Sequence, residues 1–157
     1  MFPGQGSQQV GMGKELLTLY PELLIEKFEN TLGWSLEDIV SNGDEELIKK
    51  TNIAQPYIFA ISYCYGLETI KKIGKPKVGI GHSLGEYTAL ACSNRISLKD
   101  CSLILKRRGE LMNNAVEPNK TGMVALIGKD SSYVQKLIDE NNINLEIAND
   151  NSPMQLV

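Results

Sequence analysis

A lone serine sits between two glycines in Gly81-His82-Ser83-Leu84-Gly85, and its neighbour is the chain's single histidine. A G-x-S-x-G spacing suits a tight strand-to-helix turn that projects a serine hydroxyl as a nucleophile. Glycines two residues to either side relieve crowding in such a turn. The helix that follows would aim backbone N–H groups at negative charge developing on a substrate. The chemistry would be nucleophilic catalysis through an acyl-serine. By composition alone the pattern should arise in roughly 5% of chains of this size, so its flanks must decide. "KVGIG" before it is a short apolar run, read as a buried strand, and "SLGEYTALACS" after it reads as a helix. The alternative is a strand–turn–helix joint in which Ser83 only caps the helix.

The other glycine-rich stretch, "FPGQGSQQVGMGK", invites a phosphate-binding reading that its spacing rejects. A P-loop needs glycine where Gln8 stands, and Ser or Thr where Glu15 follows Lys14. "GQGSQQ" likewise fails G-x-G-x-x-G, and no strand of useful length precedes it.

The elements that must position these residues alternate helix and short apolar run. A helical pattern starts near Lys14, is restarted at Pro21 and continues to about Leu32. A short helix falls between Gly33 and Gly43, and Asp44 reads as the N-cap of "EELIKK". The apolar stretch from Ala54 to Ile73 is long enough for a buried helix, with Pro56 tolerated in its first turn. Ser97 and Asp100 resemble a capping box opening a helix that runs to about Val116. "EPNKTG" reads as a linker, "MVALIG" as a strand, Ser131 to Asn142 as a helix and "INLEIAN" as a third strand. "DNSP" is a turn and "MQLV" begins another strand.

The bulk properties narrow the function classes. With 157 residues, 42% hydrophobic and 22% charged, the chain is ordinary for a soluble globular protein and can bury a core. A net charge of -3 and no long basic run disfavour nucleic acid as a partner. No run of about 18 apolar residues suggests a membrane span, and no secretory signal is visible at the start. Cys64, Cys92 and Cys101 are isolated, which fits buried thiols in a reduced, cytoplasmic protein. One histidine and no paired ligand spacing argue against a metal site.

Four motifs in order, "FPGQGSQ", "GHSLGE", "RRGELM" and "GMVALIG", resemble the malonyl-CoA:acyl carrier protein transacylases and the acyltransferase domains of fatty acid and polyketide synthases. "NIAQP" and "ANDNSP" add weaker matches. The resemblance covers essentially the whole chain. It implies an α/β fold: an α/β-hydrolase-like three-layer core with a short parallel sheet over 1–119, and the start of a small ferredoxin-like subdomain over 120–157. It implies transfer of malonyl from coenzyme A to Ser83, then to the phosphopantetheine thiol of acyl carrier protein. Coenzyme A enters as a substrate thioester, and no cofactor is implied. The backbone N–H groups of Gln5 and Leu84 would form the oxyanion hole. Arg108 would hold the malonate carboxylate, Gln55 would line the pocket, and Asn149 and Asn151 would do so too. His82 would support the turn by packing rather than serve as base. Arg107, about 100° round the helix from Arg108, reads as surface.

The resemblance also places the proton-accepting histidine well downstream of the serine, and none follows His82. Family members are about twice as long and have a short strand before "FPGQGSQ". The expectation is therefore a chain incomplete at both ends that lacks the base, which puts its activity alone in doubt. Two other readings stay open. One is a serine hydrolase or thioesterase using the same turn, although a hydrolase of neutral acyl chains has no need of Arg108. The other is a non-catalytic fragment that binds carrier protein or coenzyme A.

Overall fold

Side-chain caps start the helices where the sequence marks them. Ser35 accepts from the Asp38 N–H at 3.1 Å, Asp44 from Leu47 at 2.8 Å, Ser97 from Asp100 at 3.0 Å and Asp130 from Tyr133 at 2.8 Å. Each cap satisfies one donor that a helix start leaves unpaired. The computed structural model describes residues 1–117 and 120–157. The chain divides into two compact units, Met1–Ala115 and Val116–Val157. The boundary expected after 119 adjoins Pro118 and Asn119, which lie outside the described residues.

The first unit is mostly helical: α1 (Lys14–Leu19), a π-helical segment (Glu22–Phe28), α2 (Glu29–Leu32), α3 (Leu36–Asn42), α4 (Glu45–Lys49), α5 (Thr51–Ile73), α6 (Gly85–Cys92) and α7 (Leu98–Asn113). The centre is α5, whose residues Ala54 to Ile61 are all buried. It is buried around its whole circumference there and apolar except for Gln55, as suits a helix enclosed by neighbours, and it packs against α4, α6 and α7. Phe28 from the π-helical segment meets Phe59 edge-on, with ring centroids 5.7 Å apart. Because α5 begins at Thr51 rather than Ala54, Pro56 falls beyond its first turn and lies inside the helix. Among the described residues no helix is long and apolar enough to cross a membrane.

The strand expected at "KVGIG" forms one parallel pairing, Phe2 with Gly81. The Phe2 N–H donates to the Ile80 carbonyl at 2.8 Å and the His82 N–H to the Phe2 carbonyl at 3.0 Å. Val78 and Ile80 stay exposed. The short parallel sheet expected of the core is thus a single bridge among the described residues, where the ladder bonds run only between Phe2 and the backbone on either side of Gly81.

The second unit carries β1 (Leu126–Ile127), α8 (Ser131–Glu140), β2 (Asp150–Ser152) and β3 (Gln155–Leu156). Its sheet is antiparallel with order β1-β3-β2. The strand expected over "INLEIAN" does not form; the pairing moves to 150–152, inside the stretch read as a turn. Hydrogen bonding to β3 decides this: the Asn149 and Val157 backbones exchange bonds at 3.1 and 2.9 Å, which aligns the residues after Asn149 as the partner strand. The fold is mixed α/β with a small sheet.

Candidate active site

The turn from Gly81 to Gly85 is closed by its own backbone. The Gly85 N–H donates to the His82 carbonyl at 2.9 Å, and the Glu86 N–H to the Ser83 carbonyl at 3.1 Å. Ser83 has φ 52°, a left-handed conformation that few residues other than glycine adopt. The flanking glycines are required sterically. A Cβ on Gly81 would lie 1.9 Å from the Gly85 carbonyl carbon, and one on Gly85 would lie 2.4 Å from the Phe2 carbonyl oxygen. Strain at the serine and close packing on both sides are the marks of a nucleophile turn. They go beyond what a capping serine needs.

The parallel pairing of Phe2 with Gly81 explains why two loops meet here. Neighbouring parallel strands end on the same side, so the loop after Phe2 and the turn after Gly81 emerge together. Gly4 packs directly beneath His82: a Cβ there would come within 2.5 Å of His82 Nδ1. Leu84, fully buried, anchors the turn in the core and stands at the start of α6. Its N–H belongs to the group of donors that a helix does not use internally. Gln5 lies in the adjoining loop, and its side chain donates to Thr51 Oγ1 at 3.1 Å.

Arg108, Gln55 and Ser83 form one network. Arg108 Nη2 donates to Ser83 Oγ at 3.0 Å, and Nη1 donates to Gln55 Oε1 at 2.5 Å. Gln55 is fully buried, and its amide nitrogen reaches Met112 Sδ at 3.1 Å. The Gln55 amide is therefore held at both ends, with its oxygen toward the guanidinium. Both partners of Arg108 are neutral, so its charge is not spent on a carboxylate in this network. Arg107, by contrast, is exposed and pairs with Glu110 at 3.2 Å. The close approach of α5 to α7 that makes this network depends on Gly109, where a Cβ would meet Asn52 Cα at 2.9 Å.

A guanidinium has only donors, so Arg108 cannot take the serine proton. It can hold a negatively charged group next to Ser83 in a planar, two-pronged grip. The arrangement suits a nucleophile whose acyl partner carries its own anionic group. Asn149 and Asn151 belong to the second unit, where the Asn149 backbone pairs with Val157 and Asn151 lies in β2.

Thr51, Met112 and Gly109 were not singled out from the sequence. Helical spacing could have found the first two: Thr51 stands four residues before Gln55, and Met112 four after Arg108, each one turn away on the same face. Among the described residues no group of three or more His, Cys, Asp or Glu side chains is placed to hold a metal ion.

Known proteins resemble the chain over its whole length. The profile of the acyl transferase domain family matches residues 1–156. The chain is 38% identical to the malonyl CoA-acyl carrier protein transacylase of Bacillus subtilis, over 100% of this chain and 51% of that protein. It is 39% identical to that of Haemophilus influenzae, over 100% of this chain and 52% of that protein. The crystal structure of the Burkholderia pseudomallei malonyl CoA-acyl carrier protein transacylase superposes with a TM-score of 0.90 at 30% identity, covering 99% of this chain and 53% of that one. A malonyl-transacylase solved in complex with a type II polyketide synthase acyl-carrier protein superposes with a TM-score of 0.82 at 34% identity, covering 99% and 52%. The chain thus spans about half the length of the curated relatives it matches. With its matched profile running from end to end, it belongs to the acyl transferase domain family.

Proposed function

We propose that the protein carrying this chain moves a malonyl group from coenzyme A to the phosphopantetheine thiol of an acyl carrier protein, in fatty acid or polyketide synthesis. Ser83 Oγ attacks the thioester carbonyl carbon and loses its proton. The carbonyl oxygen, now anionic, is met by the Gln5 and Leu84 backbone N–H groups. The C–S bond breaks, and coenzyme A leaves as its thiol after taking up a proton. The carrier thiol then attacks the malonyl-serine ester, and the C–O bond breaks to return Ser83. No cofactor takes part in either half-reaction. The resemblance assigns the proton-accepting histidine downstream of Val157, so this reading gives the role of base to no residue described here. The complete fold would be a hydrolase-like three-layer core joined to a ferredoxin-like subdomain. Three free thiols suit a reducing compartment, the cytoplasm.

The observation that carries the proposal is Arg108. Its guanidinium stands 3.0 Å from the Ser83 hydroxyl and is steadied by a buried glutamine. Malonyl carries a carboxylate one methylene from its reacting carbonyl, within reach of such a group once the carbonyl is on Ser83. A hydrolase of neutral acyl chains has no anionic group for this cation to hold. The test is transfer to a carrier protein from malonyl-CoA and acetyl-CoA, by wild type and Arg108→Ala. A charge-assisted pair of hydrogen bonds contributes about 2–3 kcal/mol. Arg108→Ala should therefore cut malonyl transfer by roughly 30- to 150-fold while leaving or raising acetyl transfer. Equal loss for both donors would contradict the clamp.

A further inference from the structure

The loop after Pro3 is held at both ends by one helix. Near its start the Gln5 side chain donates to Thr51 Oγ1 at 3.1 Å. Near its end the Tyr57 hydroxyl reaches the carbonyls of Met12 at 2.8 Å and Gln9 at 3.3 Å. Just beyond, Gly13 has φ 87° and is pressed against Ile61, whose Cδ1 would be 2.4 Å from a Cβ there. Thr51, Tyr57 and Ile61 all belong to α5. So does Gln55, one turn beyond Thr51, which holds Arg108. The first turn of α5 is itself fixed against α7, where a Cβ on Gly109 would lie 3.0 Å from the Thr51 carbonyl oxygen. One rigid element therefore holds the oxyanion loop through Thr51 and the carboxylate clamp through Gln55.

We propose that Thr51 is a positioning residue for the transfer reaction. Its hydroxyl accepts from the Gln5 side chain and so fixes the Gln5 backbone N–H in the oxyanion hole. The proposal rests on the reading of Ser83 as the acylated residue. An oxyanion donor acts on charge that exists only in the transition state, so a loosened loop lowers kcat and spares thioester binding. A merely structural threonine would not separate the two.

Thr51→Val removes the acceptor at nearly constant volume, and Thr51→Ser keeps it. Gln5→Ala removes the donor from an exposed loop without touching the backbone N–H or the core. Malonyl transfer and amide hydrogen exchange are measured in the full-length protein. Thr51→Val should lower kcat by roughly three- to tenfold at unchanged KM, the effect of one hydrogen bond. Thr51→Ser should restore it to within about twofold. Gln5→Ala should lose as much, and the Gln5→Ala, Thr51→Val pair should lose no more than either single variant. Amide exchange over residues 5–8 should quicken in Thr51→Val and not in Thr51→Ser. Wild-type kcat in Thr51→Val, additive losses in the pair, or unchanged exchange would each overturn the proposal. A wild-type protein that is never malonylated would refute the transferase reading instead, and the exchange comparison would still decide whether Thr51 holds the loop.

Discussion

At the scale of single residues, the site is defined by what each group can and cannot donate. Ser83 needs a proton acceptor; Arg108 beside it has only donors. The guanidinium therefore suits a role in holding substrate, and the Gln55 amide, held between Arg108 and Met112 Sδ, sets its direction. The sequence marked Ser83, Arg108 and Gln55 because each stands in a recognisable motif. Met112 and Thr51 each lie one helical turn from a marked residue, but their importance comes from contacts across 57 and 46 positions of sequence. The cysteines show the same logic of environment. Burial pushes the Cys64 thiol up to about 12 and that of Cys92 up to about 11, and raises that of Cys101 as well. Thiolate is the reactive form, so these groups are suppressed as nucleophiles near neutral pH. Alkylation with iodoacetamide at pH 8 should be slow in the folded protein and rapid after denaturation. Equal rates in the two states would contradict the burial of these thiols.

At the scale of elements, the helices were legible because their signals are local. Asp44 and Ser97 cap the helices they were expected to cap, and α8 begins at Ser131 as its pattern suggests. The strands were less legible because pairing is decided by distant partners. "INLEIAN" has the apolar content of a strand, yet the ladder forms at 150–152, where β3 supplies the partner. "KVGIG" makes one bridge, and that bridge is what matters for the site, since it sets the loop carrying Gln5 beside the turn carrying Ser83. The turn tolerates no added methyl group on its inner side. Gly85→Ala would drive a Cβ into the Phe2 and Pro3 carbonyl oxygens, at 2.4 and 2.7 Å. Because both obstacles are backbone, the variant should lose about 3 kcal/mol of stability, measured by urea denaturation. A wild-type midpoint would show that the loop after Phe2 does not press on α6 as described.

At the scale of the whole molecule, the two units have different characters. In the first, α5 packs among other helices and one continuous core is buried, with Leu24, Phe28, Tyr57, Phe59 and Leu105 in it. In the second, Val134 and Leu156 are buried while Met123, Val124, Ile127 and Leu145 are exposed. The family was legible from motif order, and the matched profile over residues 1–156 agrees with it. The arrangement of side chains around Ser83 was not legible, because it depends on how closely α5 and α7 approach at Gly109. In the proposed reaction Ser83 takes the acyl group. Intact-mass spectrometry of the full-length protein after brief exposure to malonyl-CoA tests it most directly, with Ser83→Ala alongside. A single malonyl adduct is expected on the wild type, located to the peptide containing Ser83 and absent from Ser83→Ala. No adduct on a folded wild-type protein, or an adduct that persists in Ser83→Ala, would contradict it.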